Sequence, residues 1–168
     1  MDRLWAPWRM EYLHDIRRKK GRKSCVFCDL EKGRPGKPNL VLYRGKYNYV
    51  VMNRFPYATG HLLVVTNSHT ADLGRLPGEA YQEMVWLMKE GMQILAKNLG
   101  AQGFNCGLNV GKISGGGIPK HMHWHIVPRW KGDLNFMPIL GNVRVLSEYL
   151  SETYKKLEKH FKKLKGGL

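Results

Sequence analysis

The spacing of apolar residues changes period several times along the chain, and each change marks an element. Leu40-Val41-Leu42-Tyr43 and Tyr47-Asn48-Tyr49-Val50-Val51-Met52 are short β-branched and aromatic runs separated at Gly45, which predicts two strands. His61-Leu62-Leu63-Val64-Val65-Thr66 predicts a third, too apolar to be exposed on both faces. From Pro77 the period lengthens. Tyr81, Met84, Val85, Met88, Met92, Leu95 and Leu99 fall three or four apart, an amphipathic helix that Gly100 ends. Phe104 to Val110 reads as a fourth strand and residues 120–127 as a fifth. Gly132 to Gly141 is irregular. Leu146, Leu150, Tyr154, Leu157, Phe161 and Leu164 then predict a C-terminal helix within 142–168, with lysines on its outer face. Short strands with one central and one terminal helix predict a single α+β domain over 1–168.

The fifth strand candidate carries the chemistry. It reads Lys120-His121-Met122-His123-Trp124-His125-Ile126-Val127-Pro128-Arg129-Trp130. Alternate side chains of a strand point to opposite faces, so His121, His123 and His125 share one face, and Met122, Trp124 and Ile126 the other. Just upstream, Ser114-Gly115-Gly116-Gly117-Ile118 lets backbone pass close to a ligand, because glycine has no side chain in the way. A histidine row beside such an approach suits a phosphorylated ligand or a metal.

Charge and cysteine usage narrow the setting. The 168 residues carry a net charge of +15, concentrated in residues 17–23 and in the lysines from Lys155 to Lys165. Such runs are solvated faces whose field attracts anions. No apolar run approaches the roughly 20 residues of a membrane span, and the first residues lack an apolar signal segment, so the expectation is a cytoplasmic protein. An aromatic stretch, Trp5-Ala6-Pro7-Trp8-Arg9-Met10, opens an N-terminal arm over 1–23 that suits packing onto the core or stacking on a base. Three cysteines make no disulfide framework. Cys25 and Cys28 are half of a tetrahedral zinc site, a redox pair, or two incidental thiols. Cys106 stands alone, so a zinc site would have to borrow histidines.

The pattern His-x-His-x-His followed by apolar residues, Pro128 and Arg129 resembles the histidine triad family of nucleotide hydrolases and transferases. The resemblance runs from Cys25 to about Trp130 and takes in Gly60-His61-Leu62-Leu63-Val64 and Ser68-His69. Trp5 to Met10 and Pro128-Arg129-Trp130 with Gly132, Asp133, Asn135 and Phe136 are similar to a bacterial branch of diadenosine tetraphosphate phosphorylase-like proteins. The resemblance implies a five-stranded antiparallel sheet with helices against it, and a homodimer that joins two sheets into one of ten strands. It implies His123 as the nucleophile toward an α-phosphate. His125 then contacts the phosphate or assists proton transfer, and His61 is a further active-site histidine. Asn53 is implied on the ribose hydroxyls, and Asn109 with the Gly115, Gly116 and Gly117 backbone on phosphate oxygens. Imidazole suits the nucleophile's task, being largely neutral at pH 7 with an unperturbed pKa near ~6.5.

The zinc-bearing bacterial members imply Cys25, Cys28, His69 and His121 as a closed structural site. In members without metal, the first triad histidine hydrogen-bonds near the second instead. Two positions depart from the family pattern. Gly117-Ile118 stands where many members have Gln-Ser, and His125 stands where eukaryotic phosphorylases and uridylyltransferases have glutamine. The motif therefore leaves water and orthophosphate both open as acceptor. The branch resemblance favours phosphorolysis of diadenosine tetraphosphate to ADP and ATP. Hydrolysis of dinucleoside polyphosphates or of nucleoside phosphoramidates is the alternative. Two other classes fit less well. A mononuclear zinc hydrolase with three histidine ligands leaves Cys25, Cys28 and the glycines unexplained. A zinc-containing nucleic-acid-binding protein finds support in the charge, but the basic runs lack aromatic interleaving and any standard motif.

Overall fold

The computed structural model describes residues 25–33, 39–133 and 148–164. The aromatic arm, the basic run 17–23, Leu146, Asn135 and Phe136 lie outside the described residues. In chain order the elements are α1 (Val26–Glu31), β1 (Val41–Arg44), β2 (Asn48–Met52), β3 (Leu62–Thr66), α2 (Gly78–Leu99), β4 (Gly103–Leu108), β5 (His123–Arg129) and α3 (Leu150–Phe161). The strands form one antiparallel sheet in the order β1-β2-β3-β5-β4. The last strand of the sequence thus lies inside the sheet, between β3 and β4.

Both faces of the sheet are apolar at its centre, which explains why β2 and β3 are buried at every position. On one face Val50, Met52, Leu62, Val64 and Ile126 pack with Met84, Leu87 and Leu95 of α2 and with Leu157 and Phe161 of α3. On the other, Val41, Tyr49, Val51, Leu63 and Val65 gather under Phe27 of α1. α1 was not anticipated from the sequence. Its six residues are too few to show a helical period. It is held by the Tyr49 hydroxyl, which donates to the Phe27 carbonyl at 2.8 Å. It is also held by Arg44, whose guanidinium donates to the carbonyls of Leu30 and Glu31.

The β1–β2 turn is fastened to α2 by one carboxylate. Buried Glu83 accepts from the backbone N–H of Lys46 (2.7 Å), Tyr47 (2.8 Å) and Asn48 (2.7 Å), and from the Asn48 amide (3.0 Å). Gly45 makes room for it, since a Cβ there would stand 2.5 Å from Glu83 Oε1. At the β1 edge, α3 folds over the strand and the Tyr154 hydroxyl donates to the Val41 carbonyl at 3.1 Å. Among the described residues, no helix is long and apolar enough to cross a membrane.

Candidate active site

β5 begins at His123 rather than at Lys120 as the sequence pattern suggests. The reason is local. The N–H of Met122 donates to the Thr70 carbonyl at 2.8 Å and that of His121 to the Ile118 carbonyl at 3.4 Å, so the chain turns there before joining the ladder. His121 is therefore separated from the other two triad histidines. Met122 and Ile126 enter the larger core with Trp124 packed against it, as the alternation predicts.

His123 lies opposite Val65 of β3, and the residue is 6% exposed. Its Nδ1 is 2.8 Å from the His121 carbonyl. A carbonyl only accepts, so Nδ1 carries the proton and Nε2 keeps its lone pair. Burial holds its pKa below the usual histidine value, against that same hydrogen bond, so the neutral ring prevails. Phe27 packs beside it at 4.8 Å between ring centroids.

His125, opposite Leu63 and Gly107, lies 5.1 Å from His123 between centroids. Burial, with the nearby His123, brings its pKa down to about 4. His61 is almost fully buried, and its Nε2 is 2.9 Å from Nδ1 of His125. Asn53 reaches the same cluster, its Nδ2 3.3 Å from His61 Nδ1. Tyr57 joins them. Its N–H donates to His61 Nδ1 at 3.0 Å, and its ring stacks on His125 at 5.9 Å with the planes 11° apart. Tyr57 was not legible from residue order, because a loop tyrosine has no periodicity and its contact is made by backbone.

Asn109 follows the last β4 residue. Because Leu108 pairs with Trp124, the register brings Asn109 level with His123. The glycine loop folds back on it, and a Cβ at Gly116 would lie 3.0 Å from that of Asn109, so a side chain there would press on Asn109. Gly115 precedes it in a left-handed conformation (φ 81°), and Gly117 is half-buried beside it.

The remaining four predicted residues form a second cluster. One ligand atom from each of Cys25, Cys28, His69 and His121 falls within 4.8 Å of the others. The separations His121 Nδ1 to Cys25 Sγ (3.4 Å), to Cys28 Sγ (3.6 Å) and to His69 Nδ1 (3.2 Å), and Cys28 Sγ to His69 Nδ1 (3.3 Å), are close to tetrahedron edges. Zinc bonds of ~2.0–2.3 Å give edges of roughly 3.3–3.8 Å. His121 is already in the right tautomer. Its Nε2 is 2.7 Å from the Thr66 carbonyl, so Nε2 carries the proton and Nδ1 faces the cluster unprotonated. Burial, and Cys25 close by, raise the Cys28 thiol pKa, a cost of gathering thiolates that a divalent cation offsets. The residues fit zinc, and four protein ligands leave no open position, as in a structural site. Phe27, unremarked in the sequence, lies between the clusters, 5.3 Å from His121 between centroids.

A family model described as HIT domain matches residues 34–132. The chain is 34% identical over 158 residues to the AP-4-A phosphorylase of Mycobacterium tuberculosis, an alignment covering 91% of this chain and 80% of that one. It is 30% identical over 106 residues to the adenosine 5'-monophosphoramidase of Saccharomyces cerevisiae, covering 63% of each. Among solved structures it is similar to a Zn-bound histidine triad family protein from Mycobacterium smegmatis. That match has a TM-score of 0.67 and 28% identity, and covers 83% of this chain and 94% of that one.

Proposed function

The chain belongs to the HIT domain family, and from that premise we propose that it is an enzyme transferring a nucleotidyl group through a covalent intermediate on His123. The observation that carries this is the Nδ1–H of His123 held on the His121 carbonyl, which leaves the Nε2 lone pair as nucleophile. Attack on an α-phosphate splits one difficult displacement into two easier ones. Asn109 and the backbone of Gly115, Gly116 and Gly117 hold phosphate oxygens in this reading, as amide donors do around anions. Asn53 reaches the ribose, and His125 contacts the reacting phosphate.

The substrate of choice is diadenosine tetraphosphate, with orthophosphate as acceptor and ADP and ATP as products. Support comes from the similarity to the AP-4-A phosphorylase, which extends over 91% of the chain. The similarity to the monophosphoramidase covers 63%. A net charge of +15 favours bringing a second anion to an already anionic intermediate. Zinc at Cys25, Cys28, His69 and His121 would cross-link α1 to the start of β5 and supply no chemistry to the transfer. Among the described residues β4 pairs with β5 alone and forms one edge of the sheet. Pairing β4 of two subunits would give the ten-stranded homodimer.

Incubation of the pure protein with diadenosine tetraphosphate, with and without orthophosphate, tests the reading. Phosphate-dependent release of ADP and ATP supports it. AMP and ATP formed equally without phosphate would make the enzyme a hydrolase. Cleavage of adenosine phosphoramidates alone would make it a phosphoramidase.

A further inference from the structure

We propose that Lys112 holds the phosphate next to the one under attack: the β-phosphate of the leaving group in the first transfer step, and the acceptor orthophosphate in the second. This deepens the reading that His123 attacks an α-phosphate of diadenosine tetraphosphate, and rests on it. From Gly91 to Gly132 the chain has no aspartate or glutamate, so no carboxylate of β4, of β5 or of the loop between them repels an anion. The groups that meet the α-phosphate in that reading are uncharged. Asn109 and the glycine backbone offer amides, His123 is a neutral nucleophile, and burial keeps His125 neutral, its pKa at about 4. Each phosphate of the substrate carries negative charge, and those beyond the first find no counter-charge in this group.

Lys112 supplies one. It is the one charged residue of the loop 109–118, it is exposed, and it has no ion-pair or hydrogen-bond partner among the described residues. Both ends of its loop lie at the site, since Leu108 pairs with Trp124 just before Asn109, and Gly116 returns against Asn109. Three residues separate Lys112 from Asn109, so their Cα atoms are within about 10 Å even at full extension of the chain. The turn that carries it has a set shape. Lys112–Ser114 form one 3-10 turn, the Ser114 hydroxyl donates to the Gly111 carbonyl at 2.8 Å, and Gly111 (φ 82°) and Gly115 (φ 81°) bend the chain on either side. The neighbouring cations are placed for other work. Arg129 is paired with Asp133, and Lys120 adjoins His121 of the metal-ligand cluster.

One position serves both steps because both run through the same bond. In the first, the lone pair of His123 Nε2 forms the N–P bond. The bond from the α-phosphorus to its bridging oxygen breaks, and that oxygen leaves with the electron pair as part of ATP. In the second, an oxygen of hydrogen phosphate forms a bond to the α-phosphorus, and the N–P electrons return to Nε2. The product is ADP, and the proton that came with the acceptor passes to water. The acceptor's phosphorus ends where the β-phosphorus of the leaving group began. A cation that steadies the first therefore recruits the second, and it favours an anionic acceptor over uncharged water.

Two measurements on the full chain test this. In protein inactivated by His123→Ala, adding Lys112→Gln should weaken binding of diadenosine tetraphosphate about tenfold, the effect of one lost charge-assisted contact. Binding of AMP, which ends at the α-phosphate, should be unchanged and shows that the fold is intact. Lys112→Arg should keep most of the affinity, and the loss in Lys112→Gln should shrink at high salt. With His123 in place, Lys112→Gln should raise the KM for orthophosphate about tenfold and, at fixed phosphate, turn the products from ADP toward AMP. Tetraphosphate affinity unchanged in Lys112→Gln, or AMP affinity lowered as much, overturns the proposal. An unchanged KM for orthophosphate overturns its second half. A wild type that forms AMP equally with and without orthophosphate refutes phosphorolysis and that second half together, and the binding comparison still decides the first, so the two failures are told apart.

Discussion

The ring of Phe27 rests 4.8 Å from that of His123 and 5.3 Å from that of His121, so one apolar side chain touches both the nucleophile candidate and a metal-ligand candidate. Its helix starts beside Cys25 and contains Cys28. Position at the metal cluster and position at His123 are thus mechanically linked through α1.

Truncating that link should be costly twice over. Phe27→Ala should destabilise by about 3–5 kcal/mol, the usual range for a buried phenylalanine, and lower turnover as the His123 ring loses its wall. Phe27→Leu keeps apolar contact and should cost less on both counts. Urea unfolding and steady-state rates on the same preparations check this.

Removal of the nucleophile should be far more severe for rate than for stability. His123→Ala should lose roughly 10³-fold or more in turnover, because no bypass offers a comparable covalent step. Brief reaction of the wild type with labelled diadenosine tetraphosphate should leave acid-labile AMP on the protein, and the variant should retain none. Near-normal turnover in the variant would refute the assignment.

Metal content is open to direct measurement. Protein purified without added zinc should carry about one zinc per chain. Chelation should lower the thermal midpoint more than it alters the chemistry of the remaining folded enzyme. Cys28→Ser should reproduce the loss of metal. Full stability with no metal would return His121 to a role beside His123.

Acid should weaken the fold over a definable window. Burial holds His123 and His125 below the ordinary value of 6.5, His125 at about 4. Below pH 6.5 the unfolded chain takes up protons that these rings refuse in the folded one. Stability from His125 is therefore full above about 6.5 and falls as pH drops toward 4. Its charged and titratable neighbours are His61, His123 and Tyr57. Denaturant midpoints at pH 7 and pH 5 should show the decline, and His125→Gln should shrink it without abolishing it, since His123 contributes as well.

Much of this architecture was legible in the order of residues. The switch from a two-residue to a three- and four-residue period marked α2 within a residue of its ends, and the Met122, Trp124 and Ile126 alternation told which face of β5 is buried. The His61, His123 and His125 group and the Cys25, Cys28, His69 and His121 group, which the resemblance to the histidine triad family singled out, each come together in space. Three things were not legible. The start of β5 depends on Thr70, a residue about fifty positions upstream that takes the Met122 amide. α1 owes its existence to a tyrosine hydroxyl and an arginine on two other elements. The part played by Tyr57 is carried by its backbone, to which residue type gives no clue.

Glu83 imposes an order on how the chain becomes native. The β1–β2 turn aims its amides at a carboxylate synthesised 35 residues after Asn48. A hairpin emerging from the ribosome keeps those amides in water and closes in final form only when α2 exists to receive them. Nascent chains cut between the two should lack a settled β1 edge, however good their strand propensity. The hairpin and the helix then gain and lose structure as one cooperative unit. The two-stranded end of the sheet is thus completed only after α2 has been synthesised, although its own residues come early.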